Sequence, residues 1–331
     1  MSTTPLRPSL LCLARILPLV LAALFGIAAC HPPRGPLVIQ TAADGQLLTD
    51  TAGHPVTRLR YQKIHPLSDG IYRVERRHRY GFLDSLGRTL VKPQYSYAED
   101  FHHGLAIVYN AKTGRASLIN RRGATVTDQV YDWIGRLYAY DAQDNSHYLS
   151  GRYLVRSRGL FALLGPDGRL VTPLCYDLFP CAYFEGLSPV HRDSRWGFID
   201  TLGREVISPH YDSVGLFACG LAPVCQHGLW GFVDHRDSLV VPFRYQSASH
   251  FSQRRAAVKR AGRWGFVDPS GREVIPPQFD DTIAPHLPPL PGFRSDGTAR
   301  LIFRRRPIVI DTLGRPIQQQ PSPTAQYIEH P

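Results

Sequence analysis

The hexapeptide RWGFID at Arg195–Asp200 returns as LWGFVD at Leu229–Asp234 and as RWGFVD at Arg263–Asp268, each copy 34 residues after the last. A repeat at that interval marks a stack of small units, none of which can bury its apolar face alone. Within one unit, Trp-Gly-Phe-Ile-Asp reads as a short aromatic and aliphatic strand. The Thr-Leu-Gly-Arg that follows reads as a turn, with Gly203 placed for positive φ and Asp200 able to close an Asx-turn. Glu205–Ile207 then starts a second strand, which Pro209 is expected to end because proline cannot continue a ladder. After YDSVGLF, the segment GLAPV at Gly220–Val224 forms a last strand leading into the next unit. Four short strands in ~34 residues leave no room for a helix of useful length, so the expected class is all-β.

The Asp of this motif gives a register for the whole chain. Its equivalents are Asp50, Asp84, Asn120, Gly165, Asp200, Asp234, Asp268 and Asp311, at steps of 34, 36, 45, 35, 34, 34 and 43. The two long steps locate insertions. A ring of propeller-like blades is the favoured arrangement, since a terminal half-unit (IVIDTLGRPI) could complete the first blade. An open β-solenoid is the alternative. The repeated carboxylates are read as turn-formers rather than as a ring of cation ligands.

The motif resembles the WG-repeat family of bacteria, also called KWG repeats. The resemblance rests on Trp196-Gly197, Trp230-Gly231 and Trp264-Gly265, on Tyr80-Gly81, and on the GLA triplets at Gly104 and Gly220. It fades around Ala116, Phe161 and Pro307, where the Trp-Gly pair is lost. These six Trp and Gly residues are expected in the repeat core, Trp as a large buried plug and Gly to let a neighbouring backbone approach.

The amino terminus reads as an export signal. Arg7 and Arg15 precede an apolar run from Ile16 to Ala29, shorter than the ~20 residues of a spanning helix. The run ends in IAAC, which resembles the bacterial lipobox. That resemblance implies acylation of Cys30, which becomes the first residue of the mature chain and anchors it to a membrane. The expected organisation is a signal peptide at 1–29, a tether at 30–36, the repeat domain at 37–320 and a tail at 321–331. By resemblance to other lipoproteins, the absence of Asp after Cys30 does not favour retention at the inner membrane, which implies the periplasmic face of an outer membrane, with the cell surface as the alternative.

Of the six cysteines, Cys175, Cys181, Cys219 and Cys225 lie in the repeat domain. Export permits disulfides. Cys219 and Cys225 flank an extended segment too long for them to pair. A Cys181–Cys219 bridge and simple burial both stay open. No CxxC or matching His spacing suggests a metal site, and no cofactor is expected.

The formal charge is +11, which suits an anionic partner or a solvated arginine-rich surface. No basic block exceeds Arg304-Arg305-Arg306. Export argues against nucleic acid.

The 45-residue step carries GRLYAYDAQDNSHYLSGRYLV, which mixes aromatic and polar groups and reads as an inserted ligand loop or as a longer hairpin whose tyrosines pack on the neighbouring units. Arg136, Tyr138, Tyr140, His147, Tyr148 and Arg152 are the candidate ligand contacts, suited to a glycan or peptide. The second insertion, containing PPLP, reads as a rigid connection. No catalytic motif is present. Acid pairs such as Glu99-Asp100 and Asp280-Asp281 would point to opposite faces of a strand and do not make a glycosidase pair. The resulting expectation is a membrane-anchored binding or scaffold protein of the bacterial cell envelope, contacting a protein or an envelope polymer. An envelope hydrolase is the alternative, and no catalytic residue is named for it.

Overall fold

The computed structural model describes residues 35–141, 146–280 and 291–317. Within them the chain is all-β, built of tandem units of short antiparallel strands in the propeller-like arrangement expected. The most regular units are two four-stranded sheets in sequence order. One comprises Ser213–Val214, Leu221–Gln226, Leu229–Asp234 and Leu239–Tyr245. The next comprises Ser247–Ala248, Ala256–Arg260, Arg263–Val267 and Glu273–Phe279. Only Gln246 separates them, so the chain leaves one sheet and enters the next almost without a loop. Upstream, a six-stranded sheet spans Lys63–Asn120 and a seven-stranded sheet spans Trp133–Tyr211. The hairpins Val38–Thr49 and Ala299–Ile310 each stand as a two-stranded sheet.

The glycine of each Trp-Gly pair explains how a strand can turn out of its sheet. Trp230 pairs with Tyr245 and Phe232 with Val241, so Gly231 alone faces Pro242, Phe243 and Arg244. A Cβ on Gly231 would stand 2.5 Å from the Val241 carbonyl oxygen. The same approach occurs at Gly81 onto Val91, Gly197 onto Ile207 and Gly265 onto Ile275. The ladder slips at each of these places. This corrects the expectation that proline ends the strand. Pro93, Pro209, Pro242, Pro276 and Pro277 lie inside the bulges, where a missing N–H breaks no ladder bond, and the strands run on to Ala98, Tyr211, Tyr245 and Phe279.

The repeated plug is chiefly the phenylalanine after the glycine. Phe82, Phe198, Phe232 and Phe266 are fully buried, each against a second Phe from the following segment: Phe101, Phe217, Phe251 and Phe293, at centroid distances of 4.9, 4.8, 5.2 and 4.8 Å. Trp264 is buried, while Trp196 and Trp230 are half-buried at the edge of their clusters. Each core cluster takes its residues from neighbouring parts of the repeat, so cohesion passes from unit to unit.

Polar stitches follow the same path. The hydroxyls of Tyr176, Tyr211 and Tyr245 donate to Glu205, Asp237 and Glu273 of the next unit at 2.7, 2.6 and 3.0 Å. Asp132, Asp212 and Asp280 each take an arginine (Arg115, Arg195, Arg263) and also cap a backbone N–H of the next hairpin, at Arg158, His227 and Arg305.

The marker aspartates are turn-formers. Asp200 Oδ1 accepts from the amides of Leu202 and Arg204, both at 2.9 Å, and Asp50, Asp84, Asn120, Asp234, Asp268 and Asp311 repeat the pattern. The residue three places on adopts positive φ. It is usually glycine, and Asp237 (φ 64°) fills the role after Asp234.

Cys175, Cys181, Cys219 and Cys225 are all free thiols, so the Cys181–Cys219 bridge does not form. Cys219 is not on a strand but in the turn before Leu221, at φ 56°.

Two outcomes follow from this geometry. Gly231→Ala places a methyl group against a carbonyl that cannot move without breaking the bulge. It should lower stability by about 3 kcal/mol, read as a drop in the urea midpoint. The turn carboxylates govern acid stability. At Asp200, burial acts to raise the pKa but is outweighed by the Arg204 amide, the Arg204 guanidinium and the Leu202 amide, so the carboxyl titrates below its ordinary value of 3.8. At Asp234 the Ser238 amide, and at Asp268 the Ser270 hydroxyl, are the main causes of the same downward shift. A group depressed in the fold contributes stability fully above its unfolded pKa and loses it as pH falls through the folded value. Thermal midpoints should therefore fall below about pH 4, and Asp200→Asn with Asp268→Asn should flatten part of that fall.

Candidate functional site

The repeat is broken between Asn120 and Gly165, and a cavity lies there. Of the two readings of the inserted segment, the hairpin is the one seen: Trp133–Tyr140 pairs with Ser146–Ser157, with a register shift between Tyr148 and Tyr153. Burial explains it: Leu137 on one strand and the unbroken run Tyr153-Leu154-Val155 on the other are buried, as in a strand covered on both faces and not in a surface loop. The segment Ala182–Phe184 adds alongside Trp133–Tyr140 in parallel, with Tyr183 opposite Ala139. The hairpin thus joins two units into one sheet and holds one face against the end of the Thr89–Ala98 strand.

Between them is a cleft of about 700 Å³. One wall is aromatic. The rings of Tyr138 and Tyr148 lie 4.7 Å apart, tilted by 34°, and the Tyr138 hydroxyl donates to that of Tyr148 at 3.2 Å. His102 continues the row 5.9 Å beyond Tyr148. Tyr97 and Tyr109, from the preceding unit, also line the cleft and meet edge to face at 5.7 Å. Trp133 lies over Gly135, where any Cβ would collide with the six-membered ring of the indole. Cys181 completes the lining.

The charged groups of the cleft are paired. Arg73 Nε donates to Asp100 Oδ1 at 2.9 Å and its Nη1 to the Ala98 carbonyl at 2.6 Å. Arg136 Nε donates to Glu99 Oε2 at 3.0 Å and its Nη2 to the Asp100 carbonyl at 3.2 Å. Glu99 and Asp100 do not point to opposite faces of a strand, as their adjacency suggested. They follow the last strand residue, Ala98, where the backbone is irregular, and both line the cleft.

Electrostatics tune the remaining groups toward neutrality. Burial, then the nearby Arg136 guanidinium, pushes His102 below the usual imidazole range. Burial and Arg73 do the same to His65, whose Nδ1 lies 3.0 Å from Arg73 Nη2. The hydrogen bond to Tyr148, and then burial, raises the Tyr138 phenol.

Of the residues singled out from sequence, Arg136, Tyr138 and Tyr148 line this cleft. Tyr140 instead stacks flat on Phe184, 4.9 Å away and 4° from parallel. His147 is exposed near the hairpin tip. Arg152 borders a small recess behind the aromatic row and donates to the Thr201 carbonyl at 3.2 Å. Cys30 lies outside the described residues. Sequence reasoning missed Arg73, Tyr97, His102, Tyr109 and Trp133. Trp133 carried a signal, being a tryptophan outside every Trp-Gly pair; the others sit in ordinary repeat positions. No cluster of His, Cys, Asp and Glu able to hold a metal occurs among the described residues.

A family model described as "WG containing repeat" matches residues 80–111, 196–230, 230–264 and 264–284, so a WG-repeat domain spans part of the chain. No curated protein matches the sequence. Among solved structures, Kluyveromyces lactis Hsv2 with loop 6CD replaced by a Gly-Ser linker is 10% identical, over 73% of this chain and 89% of that one, with a TM-score of 0.33. PorZ, an essential bacterial surface component of the type-IX secretion system of Porphyromonas gingivalis, is 9% identical over 79% of this chain and 38% of its own, at 0.30. A eukaryotic initiation factor is 10% identical, over 86% and 96%, at 0.35.

The packing of Trp133 on Gly135 is directly testable. Gly135→Ala should displace the indole while leaving the far-UV circular dichroism unchanged. The change would be seen in the tryptophan emission and would be absent from the same substitution made in a Trp133→Phe background.

Proposed function

We propose that the chain is a binding protein of the bacterial cell envelope, held to the membrane through acylated Cys30, whose repeat domain presents the Tyr138–Tyr148 cleft to a protein or an envelope polymer. The β-repeat scaffold is suited to this role, because stacked units make a stiff support on which a site can be placed. The observation that carries the reading is the cleft itself. Aromatic rings and two arginine–carboxylate pairs converge on one volume where a long hairpin interrupts the regular units. That volume is within the range of ligand sites, ~300–1,000 Å³. In this reading residues 1–29 are a removed signal, 30–36 a tether, 37–320 the repeat domain and 321–331 a tail, on the periplasmic face of the outer membrane.

The hydrolase alternative gains no support from the geometry. A hydrolase needs a carboxyl free to exchange a proton with substrate. Glu99 is bonded to Arg136 and Asp100 to Arg73, an arrangement that holds more readily than it reacts.

Photo-cross-linking from position 148 in intact cells, followed by mass spectrometry, tests the binding reading. A reproducible adduct that disappears when Tyr138 is replaced by alanine is expected. Adducts that map only to the far units, or that ignore Tyr138, would remove the cleft from the function. The anchor is tested separately: Cys30→Ser should move the protein from the membrane fraction to the soluble one, and labelled fatty acid should no longer be incorporated.

A further inference from the structure

Resting on the reading of the cleft as a binding site, we infer that its ligand is a neutral oligosaccharide. The first argument is charge. Arg73 and Arg136 are the cationic side chains of the lining and Glu99 and Asp100 the anionic ones, and they are matched pair by pair. His102 is held toward its neutral form. An anionic ligand would find each guanidinium already occupied, and a cationic ligand each carboxylate.

The second argument is the direction of the polar edges. The arginine side chains are only 14% and 12% exposed, while those of Asp100 and Glu99 are 33% and 31% exposed. The cleft therefore meets carboxylate oxygens braced from behind by guanidinium groups. Fixed acceptors of this kind suit the vicinal hydroxyls of a sugar ring, which donate in pairs.

The third argument is the aromatic content. Tyr97 is 47% exposed and Tyr148 49%, far from the usual state of a large ring beside a core. The tilted Tyr138–Tyr148 pair offers faces rather than a socket, and the axial C–H faces of pyranose rings pack on such surfaces. Ile134 is the single aliphatic residue of the lining, so the apolar pocket that anchors a peptide side chain is missing from it. The volume accommodates several sugar rings in a row.

The test is a glycan array spanning neutral, acidic and amino sugars, probed with the full-length protein in detergent, followed by calorimetric titration of whatever is retained. Retention of neutral glycans is expected, with affinity unchanged when salt is raised tenfold. Tyr148→Ala and Tyr138→Ala should each weaken binding by about tenfold or more with circular dichroism unchanged. Tyr148→Phe, which keeps the face and loses the hydroxyl, should cost about threefold or less. Retention of acidic glycans alone, with affinity collapsing in salt, would overturn the neutral class and leave the cleft as the binding site. No glycan retained, together with a protein adduct from position 148 that depends on Tyr138, would overturn the saccharide assignment and likewise leave the cleft. No glycan retained and no such adduct would overturn both.

Discussion

A carbonyl oxygen occupies the space where a side chain would stand on Gly81, Gly197, Gly231 and Gly265, and the rest of the molecule depends on that contact. Because glycine has no Cβ, the next strand can press its backbone into the Trp-Gly strand and slip register there. The slip turns the strand, frees its prolines from the ladder and carries its last aromatic residue toward the following unit. Without the close approach the strand would stay flat and in register, and the next sheet could not begin a residue or two later.

Once the chain is handed over in this way, cohesion is local. A buried Phe from one segment meets a second Phe from the next, and a terminal tyrosine reaches an acid one unit on. Such nearest-neighbour coupling tolerates decay of the motif in a single unit. Gly165 stands where aspartate is expected, yet the turn persists because Asp167 Oδ1 accepts from Arg169 at 3.2 Å and Gly168 takes the positive φ. A degenerate unit can then change its surface while its neighbours hold it in place.

The cleft uses that freedom. Lengthening one hairpin moves Tyr138 and Tyr148 out over the preceding unit, where Tyr97, Tyr109 and the Glu99-Asp100 pair complete the walls. The site is assembled from regular positions of one unit and inserted positions of the next, and the hairpin is tied into the sheet at Tyr153–Ser157 by Leu160–Leu164 and at Tyr138–Tyr140 by Ala182–Phe184. Trp133, folded flat onto Gly135, fixes the floor between them.

The sequence by itself determined the period, the all-β class, the turn role of the aspartates and the place of the insertion. These follow from local rules: a spacing, a turn chemistry, and a glycine beside an aromatic. The sequence also marked Arg136, Tyr138 and Tyr148, because aromatic and charged residues crowd that insertion. What only the tertiary structure decided was which residues meet across units. Phe rather than Trp became the main plug because the Trp196 and Trp230 rings sit at the edge of their clusters and only Trp264 is buried, whereas the Phe faces inward in every unit that carries the motif. Glu99, Asp100 and His102 joined the cleft because the strand ends at Ala98 and the backbone then turns both acids to one side. Periodicity describes a residue's place along its own strand. The partner it meets is set by how neighbouring sheets are rotated against each other, and that depends on every bulge between them.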